Sequence, residues 1–324
     1  MGRDIREQVT RYLADAHSIE EQSLQQMRSA PDIAGEPELE RAFVEHLAET
    51  ERHESRILTL LEERGASPSR SKDVVMRAGG AAFMLWGRIQ PDTPGKLAAH
   101  ALSYEALEWA AYDLLARTAD RAGEGAVADA ARDLRDEERV MMDRIERLFD
   151  RTVDASLRAQ DTDDLEDLLR TYLADAHAIE AQSIQLLESG KEMVADYPTL
   201  ARLFEEHLSE SRAQQQLLEE RLEALGGSWS LIKDAAMRIG ALEWGTFFFG
   251  HPDTPGKLAA FAYAFEHLEI GGYEQLRRVA FRVGDVGTVQ AAERLIKEER
   301  RTADKLADAF DEAVTAALTE AGVA

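Results

Sequence analysis

The sequence contains no cysteine. That excludes disulfide cross-links, thiolate metal sites and thiol nucleophiles. Proline is scarce, with 8 residues in 324, and the remainder is rich in Ala, Leu, Glu and Arg, a composition that favours helix. No apolar run approaches the length of a secretory leader or a membrane span, so the chain reads as cytoplasmic with no membrane partner. Basic residues are outnumbered, 38 Lys and Arg against 62 Asp and Glu, for a net charge of −24. Such a surface repels nucleic acid and anionic lipid and attracts cations. Pro94–Lys96 opens a helix and lacks the rest of a phosphate loop. Neither a nucleophile–base pair nor a basic patch with interleaved aromatics is legible.

What the chain does have is one unit written twice. YLADAHSIEEQS (Tyr12–Ser23) recurs as YLADAHAIEAQS (Tyr172–Ser183), FVEHLAET (Phe43–Thr50) as FEEHLSES (Phe204–Ser211), and PDTPGKLAA (Pro91–Ala99) as PDTPGKLAA (Pro252–Ala260). A period of this size marks duplicated domains, 1–158 and 159–324, rather than a short solenoid repeat. Each copy predicts four long helices: Ile5–Met27, Pro37–Arg64, Pro94–Arg121 and Ala126–Leu157, then Leu165–Leu187, Pro198–Leu225, Pro255–Val283 and Val286–Ala317. Gly65, Gly123, Gly226 and Gly284 stop helices, and Pro94 and Pro255 start them. The expectation is an all-α protein of two tandem four-helix bundles, with a long crossover between the second and third helices of each. The apolar segments VVMRAGGAAFMLW and AAMRIGALEWGTFFF within those crossovers predict a short extra helix closing each bundle.

The helical stripes carry acids where apolar residues belong. SYEALEWAAY (Ser103–Tyr112) and AFEHLEIGGY (Ala264–Tyr273) put Glu105, Glu108 and Tyr112, and again Glu266, Glu269 and Tyr273, along one face at i, i+3 and i+7. The first helices place Glu20 and Glu180 in line with Leu13 and Leu173. The second place His46 or Glu49 and His207 or Glu210 in line with Phe43 and Phe204. The fourth place Glu138 and Glu299 among apolar neighbours, with Glu137 and Glu298 as adjacent alternatives. Unpaired carboxylates in an apolar interior cost several kcal/mol each, and clustering adds repulsion. Protonation, arginine partners or divalent cations would remove that cost.

The ordered combination DAHxIE, HLxET, YExLExxxY and EER resembles the ferritin-like family of the YciE/YciF stress proteins. That family is related in fold to rubrerythrin, ferritin and other di-iron carboxylate proteins. The likeness covers each half nearly end to end. Because family members form dimers of bundles, it implies an intramolecular pseudo-dimer, open to further self-association. The metal ligands it implies are Glu20, Glu49, Glu105, Glu108 and Glu138 with His46, and Glu180, Glu210, Glu266, Glu269 and Glu299 with His207. One departure is chemical: di-iron bundles use Glu-x-x-His, whereas His46–Glu49 and His207–Glu210 reverse that order. His53 would add a nitrogen in the first copy, but Gln214 stands there in the second.

The resemblance therefore implies a dinuclear iron or manganese site in one or both bundles, working in metal or oxidative stress through ferrous oxidation or peroxide removal. Zn2+ suits the same donors. If the protein turns over a substrate, it would be a di-metal oxidoreductase of ferroxidase or peroxidase/catalase type. Tyr112 and Tyr273 would then stand behind the ligands, although core tyrosines with a polar tip need no such role. The competing expectation is a metal-free helical scaffold or stress-associated protein acting through protein partners, with Phe83–Trp86 and Phe247–Phe249 as its contacts.

Overall fold

A computed structural model of the chain describes residues 4–67, 93–159, 165–227 and 254–323. The crossover helices and both aromatic contact segments expected above lie outside those residues. Among the described residues the secondary structure is helical, in two compact units: Met1–Gln160 with Ala321–Ala324, and Asp161–Glu320.

In the first unit α1 is Ile5–Met27, α2 Pro37–Glu63, α3 Thr93–Arg121 and α4 Gly125–Ala159, with one 3-10 turn at Pro31–Ile33. Local chemistry sets the ends. Asp4 caps α1 by accepting from the Arg6 amide at 3.0 Å, and Glu36 caps α2 by accepting from the Leu39 amide at 2.8 Å. At the end of α2, Gly65 takes φ +65°, letting the Ala66 amide turn back to the Leu61 carbonyl at 3.0 Å. α1 packs against α2 and α3, and α4 against the same two helices, which closes a four-helix bundle. Thr10 and His17 of α1 meet Arg64 at the C-cap of α2 and Glu54 within it, Glu20 and Gln22 of α1 meet Tyr112 and Tyr104 of α3, and Glu45 and Arg56 of α2 meet Arg144 and Asp133 of α4, so these neighbouring helices run antiparallel. α2 and α3 lie diagonally and run parallel.

Burial follows the predicted stripes. Val9, Leu13, Ile57, Leu61, Leu115, Ala119, Val127 and Leu134 fill one end of the first unit. Toward the other end lie buried Leu24, Leu39, Phe43, Leu97, Ile145 and Phe149. The acids fall between these two apolar layers.

The second unit repeats the plan with α5 (Leu165–Met193), α6 (Pro198–Ala224), α7 (Thr254–Val283), α8 (Val286–Asp308) and α9 (Phe310–Glu320). Two helices depart from expectation. α5 runs six residues past Leu187, because Lys191 replaces the Pro31 that ends α1 in the first copy. The fourth helix, expected as one piece, breaks at Ala309, whose amide is shared between the Lys305 and Leu306 carbonyls at 3.1 Å each.

The α5 extension depends on a missing side chain. A Cβ at Gly190 would sit 2.7 Å from the Phe204 ring and 3.1 Å from Leu258. Helix propensity alone favours Ala over Gly by about 1 kcal/mol, so the sign of the substitution is informative. Gly190→Ala is expected to lower the thermal midpoint of the second unit despite that propensity, and Phe204→Leu in the same background to restore part of the loss. A higher midpoint for Gly190→Ala alone would show that the helices are not this close.

Candidate metal centre

Four helices each deliver polar side chains to the middle of the first unit. α1 brings Glu20, α2 His46 and His53, α3 Glu105 and Glu108, and α4 Glu138, all at most 2% exposed. The His46 Nε2 lies 2.9 Å from Glu105 Oε2 and 3.7 Å from Glu138 Oε2. The His53 Nδ1 lies 2.7 Å from Glu138 Oε1 and 3.7 Å from Glu20 Oε1. The two contacts at 3.7 Å are beyond hydrogen-bond reach, and the two shorter ones are ion pairs without hydrogen-bond alignment. Both oxygens of Glu105, Glu108 and Glu138 lack a hydrogen-bond partner, although all are buried. Side chains that crowd without bonding one another are aimed at a common point.

That convergence fits a cation. Opposed ligands on an ion with bonds of about 2.2 Å stand about 4.4 Å apart. One donor atom from each of His46, Glu105, Glu108 and Glu138 falls within 4.8 Å of the rest, and so does a second set, Glu20, His53 and Glu138. Glu138 belongs to both sets. In the second unit His207, Glu266, Glu269 and Glu299 form the counterpart of the first set. There the His207 Nε2 stands 3.2 Å from Glu266 Oε1 and 3.9 Å from Glu299 Oε2.

The remaining predicted residues sit around these groups. Glu49 is outside the convergent set: its carboxylate accepts from His46 Nδ1 at 2.9 Å on the solvent side, which turns Nε2 inward. The i, i+3 spacing put both residues on one face and left open which of them points in. Glu210 is also outside, engaged by Arg301 at 3.1 Å and Thr302 at 3.2 Å. Glu137 meets His53 Nε2 at 3.0 Å, and Glu298 accepts from Gln214 Nε2 at 3.3 Å. Tyr112 donates to Glu20, and Tyr273 to Glu180. One group escaped the sequence reading. His17, Glu21 and Glu54 gather on the α1–α2 face of the first unit, where the second copy has His177, Ala181 and Gln215. The i, i+4 pair His17 and Glu21 was the available signal.

The two units settle their charge differently. In the first, burial pulls His53 down, but the Glu138 and Glu20 carboxylates override it and raise it to about 11. His46 is likewise raised, with Glu105, Glu49 and Glu138 outweighing burial. Burial lifts Glu138 to about 8 and Glu108 well above the carboxylate range. In the second unit burial, with Lys305 adding to it, drops His207 to about 3. Burial and mutual repulsion raise Glu180, Glu266 and Glu269, and lift Glu299 to about 7. Among the described residues, no Lys or Arg forms an ion pair with any of these buried acids.

Fold and site together define an all-α protein of two helical bundles, each with a buried imidazole–carboxylate group able to hold a metal ion. The model of a family described as a domain of unknown function (DUF892) matches residues 4–158 and again residues 164–319. The chain belongs to that family and carries its domain twice. No solved structure matches it.

The raised carboxylates and His53 set the direction of the pH dependence. Glu138 and Glu299 hold protons in the folded state that the unfolded chain releases above its ordinary value of 4.5, so stability falls as pH rises toward about 8 and about 7. His53 acts in the same direction from 6.5 to about 11, whereas His207 costs stability only below 6.5. Chelator-treated protein should therefore show a midpoint that declines steadily from pH 6.5 to 8. Saturating Mn2+ should flatten or reverse the decline, since ion binding needs the deprotonated acids. A flat profile in chelator would mean that the acids reach solvent.

Proposed function

We propose that this chain is a ferritin-like metal protein, holding iron or manganese in its bundles and working in metal or oxidative stress. The observation that carries the reading is the set of buried carboxylate oxygens without hydrogen bonds, converging with an imidazole from different helices. Without a cation such a group destabilises the fold, and a divalent ion neutralises it most directly. Carboxylates with imidazole suit Fe2+ and Mn2+, and Zn2+ as well.

Each residue has a task in that reading. Glu105, Glu108 and His46 hold one side of the first unit's site, Glu20 and His53 the other, and Glu138 spans both. Glu49 and Glu137 fix the rings of His46 and His53 from outside. Tyr112 orients Glu20. When bound, iron or manganese supplies electron transfer to dioxygen or peroxide. Burial of every donor keeps bulk solvent away and limits access to small reactants, in keeping with ferrous oxidation or peroxide removal. The likeness of sequence motifs to the YciE/YciF proteins supports the same assignment.

Glutamine in place of a core acid separates a metal site from a scaffold, because the two readouts move in opposite directions. Glu108→Gln and Glu269→Gln should each lower Fe2+ or Mn2+ content after loading. Each should also raise the metal-free midpoint by a few degrees, since about 1 kcal/mol moves a domain of this size by about 2–4 °C. Unchanged metal content in both variants, or none in the native protein, would support a metal-free scaffold.

A further inference from the structure

We infer that the two units differ in capacity, the first holding a pair of divalent ions and the second a single ion. This rests on the metal-binding reading and specifies it. The position shared by the two copies has the same donors in both: His46, Glu105, Glu108 and Glu138, or His207, Glu266, Glu269 and Glu299. The adjoining position does not. In the first unit Glu20 and His53 gather with Glu138 there, His53 being 1% exposed with its Nδ1 turned into the core.

In the second unit the same place has Glu180, Gln214 and Glu299. The Gln214 amide nitrogen donates outward to Glu298 at 3.3 Å, so the residue copies the outer contact that His53 makes with Glu137. Inward it can offer only a neutral amide oxygen, a weaker donor than imidazole for the transition metals that suit the shared position. Glu299 and Glu180 stand as Glu138 and Glu20 do, Glu180 accepting from Tyr273 as Glu20 does from Tyr112. What a second ion lacks in this unit is the imidazole, for which Gln214 offers a neutral oxygen. The buried oxygens of Glu266, Glu269 and Glu299 have no hydrogen-bond partner, so the shared position in this unit keeps the features that call for a cation.

The test uses the full chain and Mn2+, read by equilibrium dialysis with elemental analysis and by electron paramagnetic resonance. Differences between variants cancel any ion bound elsewhere on the acidic surface, including at His17. The double variant Glu266→Gln/Glu269→Gln, which silences the second unit, should lose one equivalent. What remains should give the spectrum of an exchange-coupled pair. The double variant Glu105→Gln/Glu138→Gln, which takes donors from both positions of the first unit, should lose two equivalents and leave the spectrum of an isolated ion. Gln214→His should add one equivalent and give the second unit a coupled pair, and His53→Gln should remove one from the first. Equal losses from the two double variants, a coupled pair in the second unit alone, or a folded Gln214→His chain that gains no ion would overturn the inequality. A native chain that binds no Mn2+ overturns instead the metal reading beneath it.

Discussion

Carboxylates without lysine or arginine partners, buried at mid-height in an apolar bundle, are the constraint on which the rest of each unit depends. Glu105, Glu108 and Glu138, or Glu266, Glu269 and Glu299, are nearly inaccessible to water. Neither Lys nor Arg comes within ion-pair reach of them among the described residues. The interior cannot relax around such charges as water does, so the helices must be held together by the layers above and below. Leu13, Ile57 and Leu115 on one side and Phe43, Leu97 and Phe149 on the other do this in the first unit. The long helices are needed for the same reason, since a shorter bundle would leave no room for apolar layers on both sides of the acids.

The duplicated units answer this constraint with different chemistry. In the first, two histidines lie against the acids and are held protonated by them, so part of the negative charge is balanced by groups of the chain itself. The second has one histidine against its acids, His207, which burial keeps neutral, and the acids retain protons instead. Part of the difference is Gln214 at the place of His53. It preserves a contact with the fourth helix through Glu298 while removing a charge from the interior.

Much of this was legible in the sequence because it is periodic. The repeat fixed the two units, and Glu105, Glu108 and Tyr112 at i, i+3 and i+7 fixed the face of α3. The other helices declared their buried acids in the same way, by placing Glu20, Glu138, Glu180 and Glu299 in apolar stripes. What spacing does not carry is side-chain direction. His46 and Glu49 share a face, and only the packed bundle decides that the imidazole turns inward while the carboxylate stays at the rim. Nor does periodicity report local backbone events. The α5 extension turns on the absence of a proline, and the break at Ala309 on a single shared amide hydrogen bond.

The outward contacts of the histidines bear on how charge enters and leaves the interior. An ion that settles among these acids must displace protons, and a layer closed to water offers them few ways out. In the first unit each imidazole touches a buried acid with one nitrogen and a solvent-reaching carboxylate with the other: His46 between Glu105 and Glu49, His53 between Glu138 and Glu137. Each ring, held protonated, can first release a proton from its outer nitrogen to that carboxylate and then take one from the buried acid when the two align. In the second unit Glu210 is taken up by Arg301 and Thr302, and the Gln214 amide cannot relay a proton by ring tautomerism. The halves of this chain therefore differ in the groups that link their buried acids to the solvent-facing carboxylates.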